Sequence, residues 1–180
     1  ALDMERGFVL LRRKDVTDAR LKEQMLEQAQ HESVTDPLTQ VNNRRGSESK
    51  IQEALLNPEG SRESALVLLD LDSFKDVNDR FGHPEGDRVL QEAARRLQGC
   101  LRSEDFVGRL GGDEFIVFLQ NIAGLDNLHV VLERVIRALR IDCGNESERA
   151  VVTASVGVAL CGDKTYEELY READRALYQA

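Results

Sequence analysis

The order of apolar and polar positions divides the chain into alternating strand and helix signals. Near its start, Gly7-Phe8-Val9-Leu10-Leu11 has strand composition. Asp15-Val16-Thr17 then offers helix-capping side chains ahead of a Glu, Gln, Lys and Ala-rich stretch, which predicts a helix from Asp18 to His31. Leu21, Met25, Gln28 and Glu32 keep the four-three spacing of a heptad seam, but two of the four are polar. A weak parallel coiled coil and a helix packed on its own domain both fit that pattern. Beyond Pro37, Asn42 or Asn43 can cap a second helix with Ile51, Ala54 and Leu55 on one face, and Asn57-Pro58-Glu59-Gly60 ends it with turn chemistry.

Ala65-Leu66-Val67-Leu68-Leu69 is continuously apolar, as in a central strand covered on both faces, and it ends in Asp70-Leu71-Asp72. Helical periodicity returns from Ser73 to Arg80 and from Gly86 to Leu101, the second stretch carrying a stripe of Val89, Leu90, Ala93, Ala94 and Leu97. Two apolar runs, Phe106-Val107 and Phe115 to Leu119, flank Leu110-Gly111-Gly112-Asp113-Glu114-Phe115. That layout predicts a strand, a tight turn and a strand, with Gly-Gly as the two-residue connection and acid at the bend. Leu125, Leu128, Val131, Leu132, Val135, Ile136 and Leu139 mark another helix, Ala150 to Leu160 a strand, and Tyr166 to Tyr178 a last helix. The predicted class is α+β, a central sheet with an antiparallel hairpin, covered by helices and preceded by a linker helix.

Charge narrows the chemistry. With 33 acidic and 24 basic residues, and a net charge of −9, the surface should repel nucleic acid, and no run of Lys and Arg offsets this. No apolar run approaches the roughly 20 residues that span a bilayer, so no membrane contact is expected from this segment. The first residues lack the features of a signal peptide. Cys100, Cys143 and Cys161 are odd in number and outside any metal-ligand spacing, which predicts free thiols in a reducing cytoplasm.

Two carboxylate groups stand out, Asp70 with Asp72 at a strand end and Asp113 with Glu114 at the hairpin bend. If those strands are neighbours, the acids converge. Taken alone, the bend also reads as a solvated acidic tip that blocks edge pairing. Mg²⁺ takes oxygen ligands and keeps substrate phosphates and water, so one or two carboxylates plus a nucleotide make a sufficient site, with room for two ions as in nucleotidyl transfer. The backbone N–H groups of Ser73, Phe74 and Lys75 would open a helix beside that metal and suit a phosphate, to which Lys75 adds positive charge. Asn78, Asp79, Gly82, His83, Gly86 and Asp87 follow; Asn and Asp can read the edge of a purine, while the glycines allow a sharp chain reversal.

Taken together, Asp36-Pro37-Leu38-Thr39, Asn43-Arg44-Arg45, Asp70-Leu71-Asp72-Ser73-Phe74-Lys75, Asn78-Asp79, Gly82-His83, Gly86-Asp87, Arg109 to Phe115, Ser155-Val156-Gly157 and Ala173 to Tyr178 resemble the GGDEF diguanylate cyclases, in that family's order. The resemblance spans residues 36 to 180. It implies a nucleotidyl cyclase-like fold with a palm-like central mixed sheet, and synthesis of cyclic di-GMP from two GTP molecules, each held by one domain of a homodimer. It implies that Asp70, the Leu71 carbonyl, Asp113 and Glu114 hold Mg²⁺ or Mn²⁺, two ions per site. Catalysis would fall to Asp70, Asp113, Glu114 and Lys75, with Glu114 coordinating metal or helping to deprotonate the ribose 3′-hydroxyl. Ser73, Phe74 and Lys75 would steady the phosphates, and Asn78 and Asp87 match the guanine-reading positions.

Arg102-Ser103-Glu104-Asp105, separated from Gly111 by five residues, resembles the family's RxxD inhibitory site for cyclic di-GMP, with Arg134 as a secondary contact. Residues 1–17 are similar to the end of a PAS sensor domain, which makes 18–35 a signalling helix and 36–180 the cyclase domain. The chain departs from the family at Gln40-Val41, where Gly-Leu is usual, so the loop there is expected to differ modestly. The family also continues past Ala180 into a lysine and a Gly-Arg-Asn segment, so the chain as given is expected to bind GTP weakly or turn over slowly. The rival readings are a GGDEF-like module that binds GTP or cyclic di-GMP and regulates an attached domain, and a different metal-dependent nucleotidyl transferase or phosphohydrolase.

Overall fold

In the computed structural model, which describes residues 34–56, 63–144 and 148–179, the most apolar run of the chain forms a strand that is paired on both sides within a five-stranded sheet. The elements are β1 (Asn42–Asn43), α1 (Arg44–Leu55), β2 (Ala65–Leu71), α2 (Phe74–Phe81), α3 (His83–Cys100), β3 (Phe106–Gly111), β4 (Glu114–Leu119), α4 (Leu125–Ala138), β5 (Ile141–Gly144), β6 (Arg149–Val152), β7 (Ala154–Leu160) and α5 (Tyr166–Leu177). The main sheet runs β1-β3-β4-β2-β7, antiparallel throughout except for the parallel pair β1 and β3. The strand and helix expected over 7–11 and 18–31, and the turn at 57–60, lie outside the described residues.

The unbroken apolar run of β2 has a direct cause. Successive strand residues face opposite sides, and both sides of this sheet are covered. Val67, Leu69 and Leu71 join a core with Val77 of α2, Ala93 of α3 and Val135 of α4. Leu66 and Leu68 join another with Ile51 of α1 and Leu169 and Ala173 of α5. Asn43 is the residue that caps α1, its side chain accepting from the Gly46 amide at 2.8 Å. Among the described residues no helix is long and apolar enough to cross a membrane.

Several local expectations need correction. The hairpin connection is Gly112-Asp113 rather than Gly111-Gly112: Gly111 belongs to β3 opposite Glu114, and a register shift between Arg109 and Gly111 leaves Leu110 as the extra residue. Gly111 and Gly112 take φ of +139° and +55°, which explains two adjacent glycines without placing both at the tip. Helix α3 starts at His83, three residues before Gly86, because Pro84 is preorganised for a first helical turn. Only Gly82, at φ +83°, makes the reversal between α2 and α3.

The strand expected over 150–160 is two strands. At Thr153 the chain is held by Asp72, whose amide donates to the Thr153 carbonyl at 2.9 Å and whose carboxylate accepts from Thr153 Oγ1 at 2.5 Å and Ser155 Oγ at 2.7 Å. Beyond that break β6 pairs with β5 in a separate two-stranded sheet, and β5, four residues long, is too short to show a period. Gln40 takes φ +59°, so the left-handed turn that glycine fills freely is here taken by a glutamine whose Nε2 donates to the Pro37 carbonyl at 2.7 Å.

Gly157 sets the distance between β7 and α5, since a Cβ there would collide with the Ala173 carbonyl and the Leu177 amide. Gly157→Ala should therefore cost about 1–3 kcal/mol, the usual range for overpacking, and lower the thermal midpoint by several degrees. An unchanged midpoint in a thermal melt would contradict this packing.

Candidate active site

Strand pairing brings the acids together. Asp70 at the end of β2 lies opposite Glu114 at the start of β4, and the Leu71 amide donates to the Asp113 carbonyl at 3.3 Å. The hairpin tip therefore sits beside the end of β2. Asp70's pKa is raised, first by burial and then by the negative charges of Asp113, Glu114 and Asp72, in that order. Burial and like charge thus act in the same direction, both disfavouring the ionised form.

Asp72 does not share the site with Asp70 as its spacing suggested. Its carboxylate is spent on Thr153 and Ser155, which makes it the clasp that splits β6 from β7. On its far side begins α2, whose N-cap, Ser73, sits in the left-handed region at φ 58° and ψ 24° with no side-chain cap. The first-turn amides of a helix have no partners within it, and Lys75 is exposed in that turn. Ser73 thus turns the first-turn amides of α2 beside the carboxylate cluster, a geometry able to receive an anion.

Asn78 is half-buried on α2 and Asp87 exposed on α3, one residue after Gly86. Gly86 is buried inside α3, and a Cβ there would collide with Asn78 Oδ1 and crowd Phe74. So Gly86 serves close approach rather than reversal: it lets the Asn78 amide lie against α3 beside Asp87.

Two arginines were part of the motif pattern but had no role assigned from sequence. Arg109 donates from Nε and Nη2 to the Gly112 carbonyl at 2.9 and 2.6 Å, and from Nη1 to Asp36 Oδ1 at 3.2 Å. Asp36 also accepts from the Thr39 amide and hydroxyl at 2.9 and 2.6 Å. Burial alone would raise the Asp36 pKa, but the Thr39 hydrogen bonds and the Arg109 charge outweigh it and hold the pKa below the ordinary carboxyl value. Arg44 donates to the Leu110 carbonyl at 3.2 Å and stands 3.6 Å from Glu114 Oε2. Beyond the motif match, Arg109 was signalled only as a cation near the acidic bend, which charge patterning does not distinguish from a solvated surface, and Arg44, 66 residues before Leu110, carried no such signal.

Among the described residues no group of three or more His, Cys, Asp or Glu is arranged to hold a metal ion unaided. The donor set instead fits a hard divalent cation delivered with phosphates, which needs only one or two protein carboxylates, and three carboxylates meet where such a cation would sit. A cavity of about 420 Å³ opens beside Asp70, lined also by Ser155, Asp174, Leu177 and Tyr178; Asp174 was not anticipated there.

The second constellation is built as a loop. Asp105 Oδ2 accepts from the Arg102 amide at 3.0 Å and Oδ1 from the Gln120 amide at 2.9 Å. Arg134 donates to the Cys100 carbonyl at 2.6 Å, tying α4 to the end of α3 where Arg102 begins. A cavity of about 360 Å³ adjoins the loop, lined by Arg102, Asp105, Lys50, Gln98 and Phe106 among others.

The sequence profile of the family "Diguanylate cyclase, GGDEF domain" matches residues 33–180. The diguanylate cyclase DgcP of Pseudomonas aeruginosa is 38% identical over 167 residues, 91% of this chain and 25% of that protein. An uncharacterized signaling protein of Caulobacter vibrioides is 38% identical over 97% of this chain and 22% of its own length. The chain thus spans about a quarter of the length of these curated relatives. Among solved structures, the diguanylate cyclase SiaD of Pseudomonas aeruginosa, crystallised with its activator SiaC, matches at a TM-score of 0.73 and 38% identity over 97% of this chain and 70% of that one. The coiled coil and GGDEF domain of DgcB from Caulobacter crescentus, in complex with c-di-GMP, matches at 0.74 and 25% identity over 92% of this chain and 89% of that one.

A carboxyl group whose folded pKa is raised is destabilising once pH exceeds its unfolded value, near 3.8 for Asp70, and fully so above the raised value. In chelator, Asp70→Asn is therefore expected to raise the thermal midpoint at neutral pH, with a gain that fades as pH falls toward the ordinary carboxyl range. A gain that persisted at low pH, or a loss at neutral pH, would show that Asp70 is not held in a repulsive cluster.

Proposed function

Because the chain belongs to the GGDEF diguanylate cyclase family, we propose that it condenses two GTP molecules into cyclic di-GMP with release of two pyrophosphates. The observation that carries this reading is the meeting of Asp70, Asp113 and Glu114 at the end of β2, beside the open first turn of α2. Asp70, the Leu71 carbonyl, Asp113 and Glu114 hold the Mg²⁺ or Mn²⁺ that arrives with the triphosphate. When bound, two such ions supply Lewis acidity at the α-phosphate and stabilise the leaving pyrophosphate.

The residues of the chain do the rest. Lys75 and the amides of Ser73, Phe74 and Lys75 steady the β- and γ-phosphates. Glu114 would accept the proton of the attacking ribose 3′-hydroxyl. The ribose 3′-oxygen then bonds the α-phosphorus of the facing GTP, the bond from that phosphorus to the α,β-bridging oxygen breaks, and pyrophosphate departs. Asn78 and Asp87 read guanine, because a carboxylate accepts from its N1–H and exocyclic amine, which adenine does not present on that edge. Two domains must face each other, so the active form is a homodimer.

Product inhibition acts at the loop of Arg102 and Asp105. The exposed guanidinium can stack on a base or grip a phosphate at the mouth of the neighbouring cavity, and Arg134, bonded to the Cys100 carbonyl, would be a secondary contact.

Incubation with GTP and Mg²⁺, with products identified by mass, tests the reaction: cyclic di-GMP and pyrophosphate are expected. GDP or GMP would indicate a hydrolase, and unchanged GTP a binding module. Arg102→Ala is expected to shift the inhibition curve to higher cyclic di-GMP with uninhibited turnover retained; a superimposable curve would remove Arg102 from the inhibitory site.

A further inference from the structure

The small sheet of β5 and β6 has no part in the reaction described above, yet it is bonded to the corner that carries Asn78 and Asp87. That corner consists of α2 and α3 joined through the single residue Gly82. With so short a joint, small changes in the angle between the helices alter the spacing of Asn78 on one and Asp87 on the other. The joint itself supplies little stiffness, since Gly82 at φ +83° is where the backbone is least restricted.

Packing of α2 on α3, where Gly86 receives the Asn78 amide, supplies part of the stiffness, and bonds to β5 supply a further part. Glu85 Oε1 accepts from the Gly144 amide at 2.9 Å, and Arg88 Nη2 donates to the Asp142 carbonyl at 2.8 Å. The two side chains are also joined to each other in a fork, Nε to Oε2 at 2.9 Å and Nη2 to Oε1 at 2.8 Å. These residues flank Asp87 in the first turns of α3. The end of α2 is held by the same small sheet, through Arg80 and Glu148 at 2.5 Å. That last pair is exposed and worth little by itself, whereas Glu85 is largely covered and bonds to backbone.

We propose that Glu85 and Arg88 are positioning residues for base selection: bonded to the backbone of β5, they hold α3 so that Asp87 and Asn78 face the same purine edge. This rests on the reading of Asn78 and Asp87 as the guanine contacts. The clamp acts on the base and leaves the carboxylates at the end of β2 untouched, so it should govern how well GTP is bound and chosen rather than how fast bound GTP reacts.

Steady-state kinetics with GTP and with ATP, on the wild type and on Glu85→Ala, Glu85→Gln, Arg88→Ala and Asp87→Ser, test it. Glu85→Ala and Arg88→Ala are expected to raise KM for GTP about three- to tenfold, the scale of one lost hydrogen bond, and to narrow the GTP preference, with kcat at saturating GTP nearly unchanged. Glu85→Gln keeps an acceptor for the Gly144 amide and should fall between Glu85→Ala and the wild type. A lower melting temperature with unchanged KM and unchanged preference, or a fall in kcat alone, would overturn the clamp. Should Glu85→Ala fail to fold, Arg88→Ala carries the same test through an independent bond. If Asp87→Ser narrows the GTP preference while the Glu85 and Arg88 variants do not, only the clamp falls; if Asp87→Ser itself has no effect, the guanine reading falls and the clamp with it.

Discussion

The register between β2 and β4 is the constraint on which the site depends. It sets Asp70 opposite Glu114 and brings Asp113 to the Leu71 amide, so the sheet cannot form without crowding three carboxylates at one edge. The cost appears in the raised pKa of Asp70. The apolar burial of Ala65 to Leu69 on both faces of the sheet fixes that register, because a slip by one residue would exchange the two cores. Packing thus imposes the electrostatic repulsion that a cation and a nucleotide can relieve.

Around this cluster the fold supplies rigidity from its periphery. Arg109 ties the hairpin tip to Asp36 and Thr39, and Arg44 ties Leu110 and approaches Glu114. Asp72, next but one to Asp70, is withdrawn into a hydrogen-bonded clasp with Thr153 and Ser155. Two aspartates of similar sequence context therefore have different work: one is left uncompensated at the site, the other terminates a strand. The same division appears at the glycines, where Gly82 bends the chain and Gly86 makes room for Asn78.

Most of the main architecture was legible from apolar patterning, since β2, β4, α3 and α5 are long enough for their period to show. The two-residue β1 and four-residue β5 were not, because no period can be read from so few positions. The split at Thr153 was hidden for another reason: it is caused by Asp72, 81 residues earlier in the chain. At the site, the meeting of Asp70 with Asp113 and Glu114 followed from treating charged strand ends as neighbours. The roles of Arg109 and Arg44 did not, because each bonds to backbone carbonyls or to a distant loop that sequence spacing does not bring near. The hairpin tip was misplaced by one residue because the bulge at Leu110 adds a residue that two adjacent glycines do not announce.

If the carboxylate cluster awaits a metal that comes with a triphosphate, metal and nucleotide should stabilise the fold together more than either does alone. The direct measurement is the thermal midpoint with Mg²⁺, with a non-reacting GTP analogue, and with both. The account requires a rise with both that exceeds the sum of the separate rises, and loss of that excess in Asp113→Asn. Additive rises, or an excess that survives Asp113→Asn, would contradict the claim that the β2 and β4 register builds a metal-nucleotide site.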